Sequence, residues 1–272
     1  MKKSAEVVCM KIKCLIDNST QRPDFWAEHG LSLYIEACGK KILFDTGASE
    51  AFEDNAVRFG IDLKEIDFCV LSHGHYDHAN GLMKFLEEND TAPVYMNEHA
   101  FEPHMAHSGK NIGLKKELEG SSRIVLAGDY LKIADGLELF SCNEKERTHA
   151  VPYGGLDVIK DGVQRPDDFI HEQYLMITEG FRKILISGCS HKGILNIMEW
   201  LSPDVLVGGF HFMGVESDGL GSDMLKNAAE ELLSYDTVYY TGHCTGLEQY
   251  CYMKQIMGER VHYLAAGQEI DV

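Results

Sequence analysis

Residues 73–78 read His-Gly-His-Tyr-Asp-His and come directly after the apolar run Phe68-Cys69-Val70-Leu71, with Ser72 between them. No other stretch limits the chain so tightly. In extended backbone, residues two apart point to the same side, so His73 and His75 can clasp one ion. A turn after them lets Asp77 and His78 reach a second, and Gly74 with the Asn80-Gly81 pair supplies the tight turning. Imidazole and carboxylate are donors that zinc and iron accept, and two such ions about 3.5–4 Å apart form a hydrolytic clamp. The alternative, a polar loop with accidental histidines, does not explain why the ligands follow a buried strand and recur elsewhere.

They recur at the ends of other apolar runs. Strands are expected at 6–16, 31–37, 40–44, 68–71, 93–96, 123–127, 137–140, 174–178, 183–187, 204–208, 237–241 and 261–264, and helices at 50–59, 80–88, 194–201, 223–234 and 247–257. Run 183–187 opens into Gly188-Cys189-Ser190-His191-Lys192-Gly193, 204–208 into Gly208-Gly209-Phe210-His211, and 237–241 into Gly242-His243-Cys244-Thr245-Gly246. Ligand sites of layered α/β folds sit beyond such strand ends. Segment 97–122, with His99, His104 and His107, is weakly periodic and reads as a helical flap or loop over the site. Segment 143–168, which includes Gly154-Gly155, reads as a polar connection, and His29, His149 and His262 as ordinary polar residues. The whole of 1–272 reads as one domain of two similar halves, about 1–140 and 141–272, with mixed sheets face to face and helices outside.

The formal net charge of −18 disfavours nucleic acid or an anionic membrane as partner, because both rely on Lys and Arg to neutralise phosphate. Lys11 and Lys13 interrupt the only early apolar run. Neither a signal peptide nor a membrane span is read, and a cytoplasmic protein is expected. The eight cysteines include no Cys-x-x-Cys pair, so neither a disulfide framework nor a zinc-finger site is expected. Cys189 and Cys244 stand apart because they lie inside the histidine motifs. No Gly-x-Ser-x-Gly elbow or P-loop supports serine hydrolase or kinase chemistry.

His-x-His-x-Asp-His after an apolar strand, with Phe44-Asp45-Thr46-Gly47 upstream, resembles the metallo-β-lactamase superfamily. The three later motifs resemble a narrower subgroup, labelled dihydropterin–ribofuranosyl-aminobenzene phosphate synthase or metal-dependent hydrolase. The resemblance implies an α/β fold, a four-layer αβ/βα sandwich with two divalent metal ions at one edge between the sheets: zinc first, with iron or manganese as alternatives. His73 and His75 would bind the first ion, and Asp77 and His78 the second. The superfamily's last ligand matches His243, with His211 at a similar strand end as its competitor. Where the superfamily carries a bridging aspartate after glycine, this chain has Gly188-Cys189. A thiolate there can still bind zinc, and His191 is placed to complete the second ion's shell. His171, just before strand 174–178, is the best match to the superfamily's third histidine. Asp45 would orient a ligand histidine from behind.

The chemistry implied is metal-assisted hydrolysis of an ester, lactone or phosphodiester centre in a small anionic substrate, by water whose proton is lost near neutral pH. Asp77 would orient the nucleophile or relay a proton, and His191 is the other candidate for a direct part. Backbone N–H groups at the start of helix 194–201 could hold a substrate anion. Two further readings stay open. One is a transferase like the named synthase, in which the ions activate a diphosphate leaving group. The other is a non-catalytic metal-binding protein, against which the complete first motif argues.

Overall fold

Two mixed sheets of seven strands each follow one plan. In the computed structural model, which describes residues 10–151 and 155–272, the first half supplies β1 (Lys11–Ile16), β2 (Ser32–Ala37), β3 (Lys40–Phe44), β4 (Phe68–Val70), β5 (Val94–Asn97), the short β6 (His104–Ala106) and β7 (Ile124–Ala127). Then come β8 (Tyr130–Ala134), β9 (Leu137–Phe140), the hairpin β10 (Leu156–Lys160) and β11 (Val163–Pro166), β12 (Tyr174–Glu179), β13 (Arg182–Ile186), β14 (Val205–Val207), β15 (Val238–Thr241), β16 (Val261–Tyr263) and β17 (Glu269–Asp271). One sheet runs β17-β1-β2-β3-β4-β5-β7 and the other β8-β9-β12-β13-β14-β15-β16, while β11-β10-β6 form a small third sheet. In both large sheets the first three pairings are antiparallel and the last three parallel.

Local chemistry accounts for this split. β2 and β3 are joined by Cys38-Gly39, both at positive φ (50° and 69°), the mirror-image turn whose twist suits a two-residue hairpin. Parallel neighbours need a longer crossover. Helix α1 (Ala51–Arg58) lies between β3 and β4, and α2 (Tyr76–Ala79) with α3 (Leu82–Glu88) between β4 and β5. In the second sheet α4 (Ile194–Leu201), α5 (Gly219–Leu232) and α6 (Leu247–Met257) make the corresponding crossings.

Strand alternation then sorts side chains into layers. Ile42 and Phe44 of β3 and Ile184 and Ile186 of β13 meet in the core between the sheets, with Leu33, Val70, Leu175 and Val207. Leu43 faces outward onto Phe52 and Phe85 of the first helical layer, and Leu185 onto Ile197, Met198 and Leu225 of the second. Each such side chain contributes about 1.5–3 kcal/mol on burial. The result is a four-layer αβ/βα sandwich. The loops leaving β3, β4, β13, β14 and β15 are those that carry Asp45, His73–His78, Cys189–His191, His211 and His243.

Several elements differ from the sequence expectation. Part of the 6–16 strand lies outside the described residues, as does Gly154. The expected helix at 80–88 starts at Leu82, after a separate four-residue helix over Tyr76–Ala79, and α5 begins at Gly219 instead of 223. Segment 97–122 is not a helical flap: it sends β6 into the small sheet beside β10. β8 and the β10–β11 hairpin went unread because little of them alternates between apolar and polar; every residue of β11 is exposed. Among the described residues no helix is long and apolar enough to cross a membrane.

Candidate metal centre

One buried carboxylate orders the first loop. Asp45 follows β3 with φ +58°, a left-handed conformation that Asp and Asn tolerate best among non-glycine residues. Its Oδ1 accepts the Ser72 N–H at 2.7 Å. Its Oδ2 accepts the Ser72 hydroxyl at 2.7 Å and lies 2.6 Å from His78 Nδ1. His78 therefore donates through Nδ1 and keeps Nε2 free. The Ser72 hydroxyl, already donating to Asp45, is 2.8 Å from His73 Nδ1 and turns that ring the same way. Burial alone would depress the His78 imidazole, but the Asp45 and Asp77 carboxylates outweigh it and push its pKa up to about 9.

His73 Nε2 then lies 3.3 Å from His191 Nε2. One nitrogen from each of His73, His75 and His191 falls within 4.8 Å of the others. Two nitrogens bound to one tetrahedral ion at 2.0–2.1 Å stand about 3.3 Å apart, so this spacing suits a shared ion. Burial, helped by the neighbouring imidazoles, holds all three rings well below the usual histidine pKa. The neutral ring is the form that ligates metal. His191 reaches this place because a Cβ at Gly188 would strike the Ser72 hydroxyl, so glycine lets the two loops touch. The Glu172 carboxylate then accepts the N–H groups of His191 at 2.6 Å and Lys192 at 3.0 Å, and the Phe169 ring stacks on His191 at 4.5 Å.

A second convergence lies beside the first. His78 Nε2 is 3.1 Å from His243 Nε2, and Asp77 Oδ2 is 3.4 Å from His243 Nε2 and 3.7 Å from His78 Nε2. His243 sits at φ +46°. Its N–H donates to Asp17 Oδ2 at 2.6 Å and its Nδ1 to Asn18 Oδ1 at 2.8 Å, which turns Nε2 toward His78. Burial raises the Asp77 pKa, but His78 and His243 reverse that and keep it well below the usual carboxylate range. Cys189 Sγ is 3.2 Å from His78 Nε2 and within donor spacing of His73 and His78, of His191 and His211, and of His243 and Cys244. Burial pushes the Cys189 thiol up, so it would ligate only on losing its proton.

Asp45, Asp77, His78, His73, His75, His191, His243, His211 and Cys189 thus gather at one place. His211 and His243 are both there: His211 pairs with His191 at 4.3 Å between ring centroids, and His243 faces His78. Two expectations are corrected. His191 stands beside His73 and His75, not with Asp77, because Gly188 seats its loop against residues 72–73. His171 does not complete the His73–His75 pair. Its Nδ1 accepts the Gly74 N–H at 2.9 Å and its Nε2 lies 3.3 Å from Asp167 Oδ2, in a separate group with His75 and His104.

Sequence reasoning passed over several residues. His104 is fully buried, not a flap residue over the substrate. His29 Nε2 lies 3.4 Å from Asp77 Oδ2. Asp17 and Asn18, behind His243, carry no signal that a single sequence could reveal. A cavity of about 320 Å³ opens over the centre. His75, Asp77, His191, His211 and His243 form its polar floor, and Tyr76, Ala106, Ile112, Leu156 and Met213 line its walls, with no lysine or arginine lining it among the described residues.

A family model described as the metallo-beta-lactamase superfamily matches residues 26–243. The uncharacterized protein MJ0448 of Methanocaldococcus jannaschii is 32% identical over 90% of this chain and 94% of its own. A protein of the same organism named 7,8-dihydropterin-6-methyl-4-(beta-D-ribofuranosyl)-aminobenzene-5'-phosphate synthase is 30% identical over 90% of each chain. The crystal structure of Tm1679, described as a metal-dependent hydrolase of the beta-lactamase superfamily, superposes with a TM-score of 0.82 at 27% identity, over 97% of this chain and 99% of that one.

Proposed function

The chain belongs to the metallo-β-lactamase superfamily, and from that premise we propose that it is a hydrolase working through two divalent ions, zinc in the first instance. The observation that carries the proposal is the pair of imidazole contacts, His73 Nε2 to His191 Nε2 at 3.3 Å and His78 Nε2 to His243 Nε2 at 3.1 Å. Nitrogens of two rings bound to one tetrahedral ion at about 2.0–2.1 Å stand about 3.3 Å apart, a spacing that both contacts match. His73, His75 and His191 would hold one ion, and Asp77, His78 and His243 the other, with Cys189 within reach of both.

When bound, such ions lower the pKa of water from 15.7 to about 7 and polarise the electrophile. Asp77 orients the attacking water with the carboxylate that His78 and His243 keep ionised. His29, half-exposed and 3.4 Å from Asp77 Oδ2, is neutral because burial and the neighbouring His243 lower its pKa; it can carry the proton out to solvent. Tyr76, Ile112, Leu156 and Met213 offer an apolar wall to the rest of a small substrate. An anionic ester, lactone or phosphodiester would be met by the ions and imidazoles, since among the described residues no lysine or arginine lines the cavity. The acidic chain remains a poor match for nucleic acid. The test is turnover by chelated and zinc-reconstituted protein on a panel of phosphodiesters, lactones and thioesters. Hydrolysis that appears only on reconstitution supports the reading, and equal activity without metal refutes it.

The relative named as a synthase supports a second reading, group transfer at the same centre. Product analysis in isotopically labelled water separates the two, because only hydrolysis puts solvent oxygen into the product.

A further inference from the structure

Cys189 is buried for a different reason from the cysteines of the core. Cys14 packs between the two sheets and Cys69 under the first helical layer, whereas among the described residues Cys189 packs in none of the three apolar clusters. Imidazoles surround it instead. Its Sγ lies 3.2 Å from His78 Nε2. It also stands within 4.8 Å of donor nitrogens of His73, His191 and His243. His73 and His191 belong to the first trio of ligands, and His78 and His243 to the second.

Three of these rings are turned so that the nitrogen near the sulfur is free to ligate. His78 Nδ1 donates to Asp45, His243 Nδ1 to Asn18, and His73 Nδ1 to the Ser72 hydroxyl, so each carries its proton on Nδ1 and presents a lone pair at Nε2. A hydrogen bond from the Cys189 thiol accounts for the contact with His78. It does not account for one sulfur standing among donors of both trios, because the thiol has a single proton.

Three loops fix the sulfur in that place. The Gly209 N–H, after β14, donates to the Gly188 carbonyl at 2.8 Å. The Cys244 thiol, after β15, donates to the Cys189 carbonyl at 3.3 Å. A Cβ at Gly209 would strike Cys244 Sγ, so glycine there lets these two loops close on Cys189. On its other side the Ser190 and Ser187 hydroxyls meet at 2.7 Å.

We propose that the Cys189 sulfur bridges the two ions, one atom bound to both, and that this bridge gives the centre its preference for zinc over manganese. The proposal rests on the two-ion reading above. A sulfur about 2.3 Å from each of two ions that are about 3.5–4 Å apart subtends an angle of about 100–120°, close to the angle between its own tetrahedrally disposed lone pairs. As the ions bind, the S–H bond breaks, its proton passes to water, and the sulfur donates one lone pair to each cation; nothing is oxidised or reduced. A carboxylate would span the same ions through two hard oxygens. Thiolate is the softer donor and suits zinc, whereas carboxylate, carbonyl and water suit manganese.

The test is X-ray absorption at the zinc edge, on protein whose zinc has been counted by elemental analysis. With two zinc ions bound, wild type is expected to show one sulfur neighbour per zinc at about 2.3 Å. Cys244→Ser should show the same, and Cys189→Asp should hold two zinc ions with no sulfur neighbour. Half a sulfur per zinc in wild type, or none, overturns the bridge and leaves the two-ion reading standing; fewer than two zinc ions overturns both. Chelator competition reads the consequence: the ratio of zinc to manganese affinity should fall several-fold in Cys189→Asp, and an equal ratio overturns the stated preference. If that variant fails to fold, NMR of wild type loaded with NMR-active cadmium decides. Two cadmium signals that both couple to the Cys189 β-protons support the bridge, and coupling of one signal or of neither overturns it.

Discussion

Replacing Asp45 with Asn isolates one carboxylate oxygen on which the two proposed ions should depend unequally. Asn tolerates the φ of +58° at this position, whereas Ala would add left-handed strain of about 1–2 kcal/mol. The amide can still accept the Ser72 N–H through its oxygen. In place of Oδ2 it presents an NH₂ group to the Ser72 hydroxyl and to His78 Nδ1, which stand 2.7 and 2.6 Å away. Two hydrogen bonds to a charged acceptor are lost, each worth about 1.5–3 kcal/mol. The serine hydroxyl can rotate and recover part of one. His78 cannot recover its bond without abandoning the tautomer that frees Nε2. Loss of such support behind a ligand histidine typically weakens metal binding by about 10–100-fold, or about 1.4–2.7 kcal/mol. The Asp45→Asn protein should therefore hold the ion at Asp77, His78 and His243 about 10–100-fold more weakly. The ion at His73, His75 and His191 should be affected less, because Asp45 reaches His73 only through the Ser72 hydroxyl. Chelator competition on wild type and variant measures both affinities. An unchanged second affinity, or equal losses at the two sites, would refute the reasoning.

Four further outcomes follow from the same geometry. His73→Ala or His75→Ala should strip the first ion, and full metal occupancy of the double variant by elemental analysis would contradict the assignment. Asp77→Asn should lower kcat on any competent substrate by at least ~100-fold, the low end for losing a group that handles a proton; unchanged turnover would place the chemistry elsewhere. Glu172 accepts the His191 and Lys192 N–H groups and, at 2.6 Å, the Tyr174 hydroxyl, so Glu172→Gln should cost about 1–3 kcal/mol, read as a lower denaturation midpoint at constant m. In metal-free protein the His78 pKa is raised to about 9 from an ordinary 6.5, so its pairing with Asp45 stabilises the fold fully below about pH 6.5 and is lost as pH rises through about 9. The stability gap between apo wild type and Asp45→Asn should accordingly narrow above pH 9 in thermal melts, leaving the share due to the Ser72 hydroxyl, and a gap that widens there contradicts the pairing.

Much of this was legible in the sequence, for physical reasons that can be named. The alternation in Lys40–Phe44 and Arg182–Ile186 sends one face to the core between the sheets and the other to the helices, and the histidine motifs stand where those strands end. His73, His75, Asp77 and His78 carry their own geometry in their spacing. What stayed hidden depends on contacts between distant segments. Asn18 orients His243 across 225 residues, and Asp167 meets His104 across 63; neither pairing leaves a local pattern. β6, β10 and β11 are short, β11 wholly exposed and the other two partly buried without clean alternation, so no periodicity announces the sheet that buries His104. Local order also misled: the spacing of Cys189 and His191 does not show that His191 stands beside His73, their Nε2 atoms 3.3 Å apart.

The most direct test of the two-ion account is a crystal structure of the zinc-loaded protein with anomalous data at the zinc edge. The account predicts two peaks about 3.5–4 Å apart. One should lie within about 2.0–2.1 Å of nitrogens of His73, His75 and His191, and the other at bonding distance from Asp77, His78 and His243. Ions that leave His191 and His243 both beyond about 4 Å, well outside any Zn–N bond, would contradict it.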